Sequence, residues 1–367
     1  MMDKKDISLI LELCKFKSPD PERLAALIGE CTDFPGVLGQ LLYNRMGGAA
    51  YYTLEKCALL SDVNREFRNT LKAIYMSNRL QTDSFLKARD LLAGVLAGVD
   101  VPYALLKGGY LVGLYPNGLR TSNDFDLLVS QRDIKAIADC LRSSGFQQGY
   151  IRENRFIPAT RAEILSSRMN RGETVPFIRE IGLPMMPFCE VDINFSLDFQ
   201  ARQHTDTVSV LLGRAEKRIE TASGWLFTLS PADFALHLCA HLYKEATVFN
   251  WVEMGRDLSL YKFSDLYLLL ADGLDAETAE QIARRAAEHG LQKECTYALR
   301  YTKELYGMEN PKLDYLLETI VPTDLSFMKR ILRPADNRVF QYDMPFIDWM
   351  FCHQRKEMLY ETEYAAT

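Results

Sequence analysis

The chain has 367 residues, 48% of them hydrophobic and 25% charged, with a formal net charge of −6. This is ordinary soluble globular composition, with material for two or three packed regions. The negative balance argues against a broad grip on nucleic acid, which draws on basic surface, though a local basic groove stays open.

The first residues, MMDKKDISLILELCKF, read as an amphipathic helix rather than a signal peptide, because Glu12 interrupts the apolar run and no small-residue cleavage site follows. Residues 1–98 are expected to be helical. Apolar positions recur at helical spacing in Leu9-Ile10-Leu13, Leu24-Leu27-Ile28 and Leu71-Ile74-Tyr75, and Asn78–Val99 reads as one long helix ending near Gly98. The apolar stretch Leu91–Leu106 is broken by Asp100 and Pro102, too short and too interrupted to span a bilayer.

The period then changes. A strand is expected over Val101–Leu106, a short helix over Gly109–Tyr115, a turn at Pro116-Asn117-Gly118 and a strand over Phe125–Val129. Arg132–Ser144 reads as a helix capped by Gly145, and Phe146–Phe156 as a strand. Residues 157–189 read as irregular, and Glu190–Leu197 as a strand with Val191, Ile193 and Phe195 on one face and Glu190, Asp192 and Asn194 on the other. Ser230 is expected to cap a helix over 231–246, with further helices near 263–271, 276–289 and 292–306, and the tail after 335 is not placed. The expected organisation is a helical region (1–98), an α/β core with a small mixed sheet (99–200) and a mainly helical region (201–367).

Eight cysteines at 14, 31, 57, 140, 189, 239, 295 and 352 are too scattered for a zinc-knuckle site. Their spacing favours reduced thiols and a cytoplasmic setting.

The chemistry concentrates at Lys107-Gly108-Gly109 and Asp124-Phe125-Asp126. In a strand Asp124 and Asp126 share a face, roughly 7 Å apart, while Phe125 turns to the core. Two such carboxylates repel when empty and can converge on a hard cation. Gly108 and Gly109 let backbone approach phosphate, the helix that follows offers N–H groups to an anion, and Lys107 and Arg120 are the nearest cations. Within PADFALHLCAHLYKEA, His237, His241 and Lys244 share a helix face, but Leu238 removes the zinc-protease reading.

The run LLKGGYLVGLYPNGLRTSNDFDLLV, followed by a helix and Ser144-Gly145-Phe146, resembles the bacterial uncharacterised nucleotidyltransferases of the DNA polymerase beta-like superfamily, over about 70–270. The resemblance implies a polymerase-beta-like core flanked by helical regions. It implies that Asp124, Asp126 and a third carboxylate hold Mg²⁺ (or Mn²⁺) against an NTP; Asp192 is the candidate, Glu190 its competitor on the same face, and many relatives carry histidine where Asn194 stands. It also implies that Lys107, Gly108, Gly109, Arg120, His241 and Lys244 contact the nucleotide. Asp265 matches an acidic position of relatives, and a charge at a helix N-terminus explains it equally.

The implied reaction moves a nucleoside monophosphate from an NTP to a hydroxyl or phosphate of a small molecule or protein, with pyrophosphate released; tRNA is a less attractive acceptor given the net charge. Two other readings remain: an Asp-x-Asp glycosyltransferase using a nucleotide sugar, or a non-catalytic nucleotide-binding partner protein. Arg152, Arg155, Arg161, Arg168, Arg171 and Arg179 form a candidate acceptor-recognition flap against the alternative of a solvated surface.

Overall fold

Acidic caps and prolines start the first helices of the chain. In the computed structural model, which describes residues 2–170, 172–196, 207–215 and 218–362, Asp3, Asp20 and Asp33 cap α1 (Lys4–Leu13), α2 (Pro21–Glu30) and α3 (Phe34–Tyr43). Next come α4 (Gly47–Lys56) and α5 (Arg65–Leu96). The two helical patterns expected around Leu71–Tyr75 and Asn78–Val99 are one helix, because Met76 and Ser77 offer nothing that breaks it.

Packing divides the chain into two units, residues 77–237 and residues 1–76 with 238–367; the divide falls inside α5 and inside α10 (Pro231–Thr247). Among the described residues no helix is long and apolar enough to cross a membrane. All eight cysteines are free.

The unit of 77–237 is built on a six-stranded mixed sheet ordered β1-β2-β6-β5-β3-β4, from β1 (Tyr103–Leu105), β2 (Asp124–Val129), β3 (Gln147–Arg152), β4 (Arg155–Pro158), β5 (Phe177–Leu183) and β6 (Met186–Asn194). β1 runs antiparallel to β2 and β2 runs parallel to β6. Between β1 and β2 lies the short α6 (Lys107–Leu111), and α7 (Ile134–Ser143) follows β2. Alternation along β2 and β6 sends Phe125, Leu127, Val191 and Ile193 into the core. There they meet Phe85, Ala88 and Leu92 of α5 and Ile137 and Leu141 of α7. Phe85 stacks on Phe125 with ring centroids 4.3 Å apart.

Several expectations change in this unit, where the strand expected over 101–106 is Tyr103–Leu105 and the helix expected over 109–115 is Lys107–Leu111. The single strand expected over 146–156 is a hairpin, β3 turning into β4 at Glu153 and Asn154, both of which adopt positive φ without a glycine to announce it. The segment 157–189, expected to be irregular, holds α8 (Arg161–Asn170), all of β5 and the start of β6; Gly182 and Met185, at φ 62° and 59°, shape the β5–β6 connection. The strand expected at 190–197 begins earlier, at Met186, and ends at Asn194; Leu197 lies outside the described residues. Helix α9 (Thr207–Gly213) and a hairpin of β7 (Arg218–Thr221) and β8 (Gly224–Phe227) complete the unit ahead of α10.

The other unit packs α1 to α4 with α11 (Phe249–Glu253), α12 (Leu260–Gly273), α13 (Ala276–Glu288), α14 (Gln292–Tyr306) and α15 (Pro311–Ile320). The unplaced tail after 335 adds β10 (Arg338–Gln341) and β11 (Tyr360–Thr362) to β9 (Arg330–Arg333) in a three-stranded antiparallel sheet, with α16 (Phe346–Met350) between β10 and β11. Buried Asp257 accepts two hydrogen bonds from Arg355, at 2.9 and 2.7 Å, which offsets the cost of burying both charges.

Candidate functional site

The face of β2 and β6 opposite Phe125 and Val191 carries the acidic side chains. Parallel pairing sets Asp124 beside Glu190, Asp126 beside Asp192 and Leu128 beside Asn194. Neighbouring strands lie about 4.8 Å apart, so four carboxylates share one patch of sheet.

The turn after β1 delivers a cation to this face. Leu106 donates its N–H to the Asp126 carbonyl at 2.9 Å, and the chain then bends through Lys107. Lys107 has φ 41°, a left-handed conformation that costs a side-chain-bearing residue on the order of 1–3 kcal/mol. Its Nζ donates to Asp126 Oδ1 at 3.1 Å, and Asn194 Nδ2 donates to the same oxygen at 3.1 Å.

The two glycines are explained by close approach. A Cβ on Gly108 would stand 2.6 Å from Ser122 Cβ, and Ser122 Oγ donates to Asp124 Oδ1 at 3.0 Å. Gly108 therefore makes room for the hydroxyl that orients Asp124. A Cβ on Gly109 would stand 2.5 Å from Leu105 Cγ, and Leu105 is fully buried. Gly109→Ala is expected to cost about 1–3 kcal/mol of stability. A urea midpoint lowered at unchanged slope would report it, and an unchanged midpoint would show that Leu105 can move aside.

Burial and repulsion set the protonation of the patch. Burial pushes Asp126 up, but the Lys107 ammonium and its hydrogen bond, the Asn194 amide and the charge of His237 outweigh it and hold the carboxyl below its usual range. Burial and the Asp126 charge raise Asp124 against the pull of Lys107, Ser122 and Arg120. Burial, with Asp124 and Asp126 adding to it, pushes Glu190 up to about 7. Asp192 stands well above the usual carboxylate range, driven by burial and then by Asp126, Asp124, Glu190 and Glu173. One firm anion among reluctant ones is the electrostatic character of the site.

The remaining residues divide. Arg120 is buried in the loop before β2, donates to the Thr121 carbonyl and acts electrostatically on Asp124. His237, one of three candidates on its helix, is the one that falls in the same unit as the carboxylates, buried and within electrostatic reach of Asp126. His241 and Lys244 belong to the other unit, where His241 Nε2 lies 3.3 Å from Glu245, itself paired with Lys262 at 2.7 Å. Asp265 is also in that unit, buried at the sixth position of α12, so the explanation as a helix N-terminal charge is withdrawn.

Arg152 and Arg155 pair across the β3–β4 turn and are exposed; Arg161 and Arg168 are exposed on α8; Arg179 is half-buried on β5. Arg171 lies outside the described residues. Glu173 was not singled out in the sequence. It is brought to the patch by its bridge to Asn194, and no local pattern marks it.

No curated protein matches the chain. A crystal structure of an antigenic nucleotidyltransferase-like protein from Paracoccidioides brasiliensis is similar, at 16% identity, over 59% of this chain and 94% of that one, with a TM-score of 0.33. A family model described as uncharacterised nucleotidyltransferase matches residues 31–307, well over half of the sequence. The chain belongs to that uncharacterised nucleotidyltransferase family.

Proposed function

We propose that the protein transfers a nucleoside monophosphate from an NTP to a hydroxyl or phosphate of a small molecule or protein, releasing pyrophosphate, with Mg²⁺ or Mn²⁺ as the metal. The observation that carries this reading is the paired set Asp124–Glu190 and Asp126–Asp192 on parallel strands, met by Lys107 from the glycine turn. Family membership favours it over glycosyl transfer from a nucleotide sugar.

The donor set suits a hard divalent cation, being all carboxylate oxygen and short of positive charge. Among the described residues no three His, Cys, Asp or Glu side chains are gathered closely enough to bind an ion as they stand. Asp124, Asp126 and Asp192 would hold the metal, with Glu190 in competition for the third place. Once bound, it would neutralise phosphate oxygens and polarise the reacting phosphorus.

The chain's own residues position the rest. Lys107 and Arg120 would meet triphosphate oxygens, the arginine with a two-pronged donor set. The acceptor oxygen forms a bond to the α-phosphorus while the bond from that phosphorus to pyrophosphate breaks, pyrophosphate leaving with the electron pair. Where the acceptor is a hydroxyl, its proton passes to the acidic patch, with Asp192 and Glu190 as the two candidates to take it. Eight free cysteines suit a reducing, cytoplasmic setting.

The test uses each NTP labelled at the α-phosphate, with Mg²⁺ or Mn²⁺, against fractions of a cell extract. Label appearing in an acceptor with equimolar pyrophosphate is the expected result. Sugar transfer from a nucleotide sugar, or NTP binding with no pyrophosphate from any fraction, would overturn the proposal.

A further inference from the structure

We infer that one face of α5 sets the geometry of the candidate nucleotide site, with Asn78, Gln81 and Thr82 acting as positioning residues for the loop that carries Arg120 and Ser122. What that geometry serves rests on the function proposed above.

Three segments of the site, the 118–123 loop, β2 and the glycine turn, are met by side chains from a single helix stripe. Asn78 Nδ2 donates to the Gly118 carbonyl at 3.1 Å, Thr82 Oγ1 to the Arg120 carbonyl at 3.3 Å and Gln81 Nε2 to the Ser122 carbonyl at 3.5 Å. These are alternate carbonyls of one stretch, so helix side chains take the place that a neighbouring strand would have. Gln81 also donates to Asn123 Oδ1, next to Asp124. One turn further along, Phe85 stacks on Phe125 between the two aspartates. Arg89 Nη1 then reaches the Gly109 carbonyl of the glycine turn at 3.4 Å. At 100° per residue, positions 78, 81, 82, 85 and 89 fall within an arc of roughly 100°.

Residues 118–122 form no helix or strand of their own and begin in a turn, with Gly118 at φ 92°. The helix donors fix alternate carbonyls of that loop, and their loss would let Arg120 and the Ser122 hydroxyl on Asp124 shift together. Thr82 is almost wholly buried, so no water can replace its hydroxyl at the Arg120 carbonyl. Small displacements of positioning groups cost rate steeply.

Thr82→Val removes the hydroxyl at nearly constant shape, Thr82→Ser keeps it, and Gln81→Leu removes both amide contacts. The readouts are amide hydrogen exchange over 117–124, Mg²⁺–NTP dissociation constants and the global unfolding midpoint. The valine and leucine variants should exchange that segment about tenfold faster and bind NTP about fivefold to tenfold more weakly, with serine close to wild type. A general loss of stability would speed exchange everywhere; the expected effect is confined to 117–124.

Unchanged exchange in 117–124, or a loosened loop with unchanged NTP affinity, overturns the inference. So does a serine variant that behaves as valine does. Should Thr82→Val not fold, Gln81→Leu, at a half-buried position, carries the test. A wild-type protein that binds no NTP would overturn the proposed function instead, while exchange in the loop still decides whether the helix holds it.

Discussion

Asp126→Asn is expected to lower NTP-dependent pyrophosphate release by about 10²–10³-fold or more, with the variant still folded. Asp126 is the carboxylate on which the site converges. Lys107 and Asn194 both donate to its Oδ1, and it is the one acid of the patch held firmly ionised. The amide keeps the shape and removes the charge. Asp124→Asn and Asp192→Asn should also lose turnover, but their stabilities should part from that of Asp126→Asn.

Asp192 is raised by burial and by four neighbouring acids, so replacing it relieves repulsion and stabilises the metal-free protein. Replacing Asp126 removes the carboxylate that Lys107 Nζ meets at 3.1 Å and should destabilise the protein. Asp139→Asn, on an exposed carboxylate of α7 paired with Lys135 and Arg142, is the control that should leave turnover unchanged. Full turnover in Asp126→Asn would remove the carboxylate patch from the reaction.

The second large effect is in pH. Glu190 titrates at about 7 in the folded protein against an ordinary value of 4.5, so between these values the folded state holds a proton that the unfolded chain has released. Stability therefore falls as pH rises through that window and levels off above it. The difference corresponds to on the order of 3 kcal/mol, less what solvent screening removes, and to several degrees of melting temperature. Asp126 works in the opposite sense: its stabilisation is present above the ordinary aspartate value and disappears as pH falls through its depressed one.

Melting curves in a chelator from pH 4.5 to 8 should show the decline, and Glu190→Gln should flatten it. Magnesium should raise the melting temperature more at pH 8 than at pH 5.5, where protons must first be displaced. Equal slopes for wild type and Glu190→Gln would show that repulsion at this position does not reach the folding equilibrium.

The sheet centre was legible because Phe125 and Val191 turn into the core while the acids take the opposite face, although β2 beyond Asp124 is buried on both faces. The pairing of those strands was not legible, since side-chain alternation says nothing about which strand lies next to which. The hairpin at Glu153-Asn154 escaped notice because its positive φ values fall on residues that do not demand them. Helix α8 was hidden by its weak apolar pattern in RAEILSSRMN, and the C-terminal sheet by strands of three and four residues.

At the site, the helix carrying His237, His241 and Lys244 was recognisable, and the resemblance favoured His241 and Lys244 over His237. The fold brings His237 within electrostatic reach of Asp126, which no spacing in the sequence announces. Asn78, Gln81 and Thr82 were not singled out in the sequence, because donors aimed at backbone carbonyls leave no periodic mark.

The parallel register of β2 and β6 links the acids to the hydrophobic interior through a single alternation. A one-residue slip of either strand would turn its acids inward and expose Phe125 or Val191, so such an error is penalised by folding itself. A two-residue insertion would keep the facing and carry the acids about 7 Å along the strand, leaving a sound interior with a displaced patch. Tolerance to insertion should thus follow the parity of the added length.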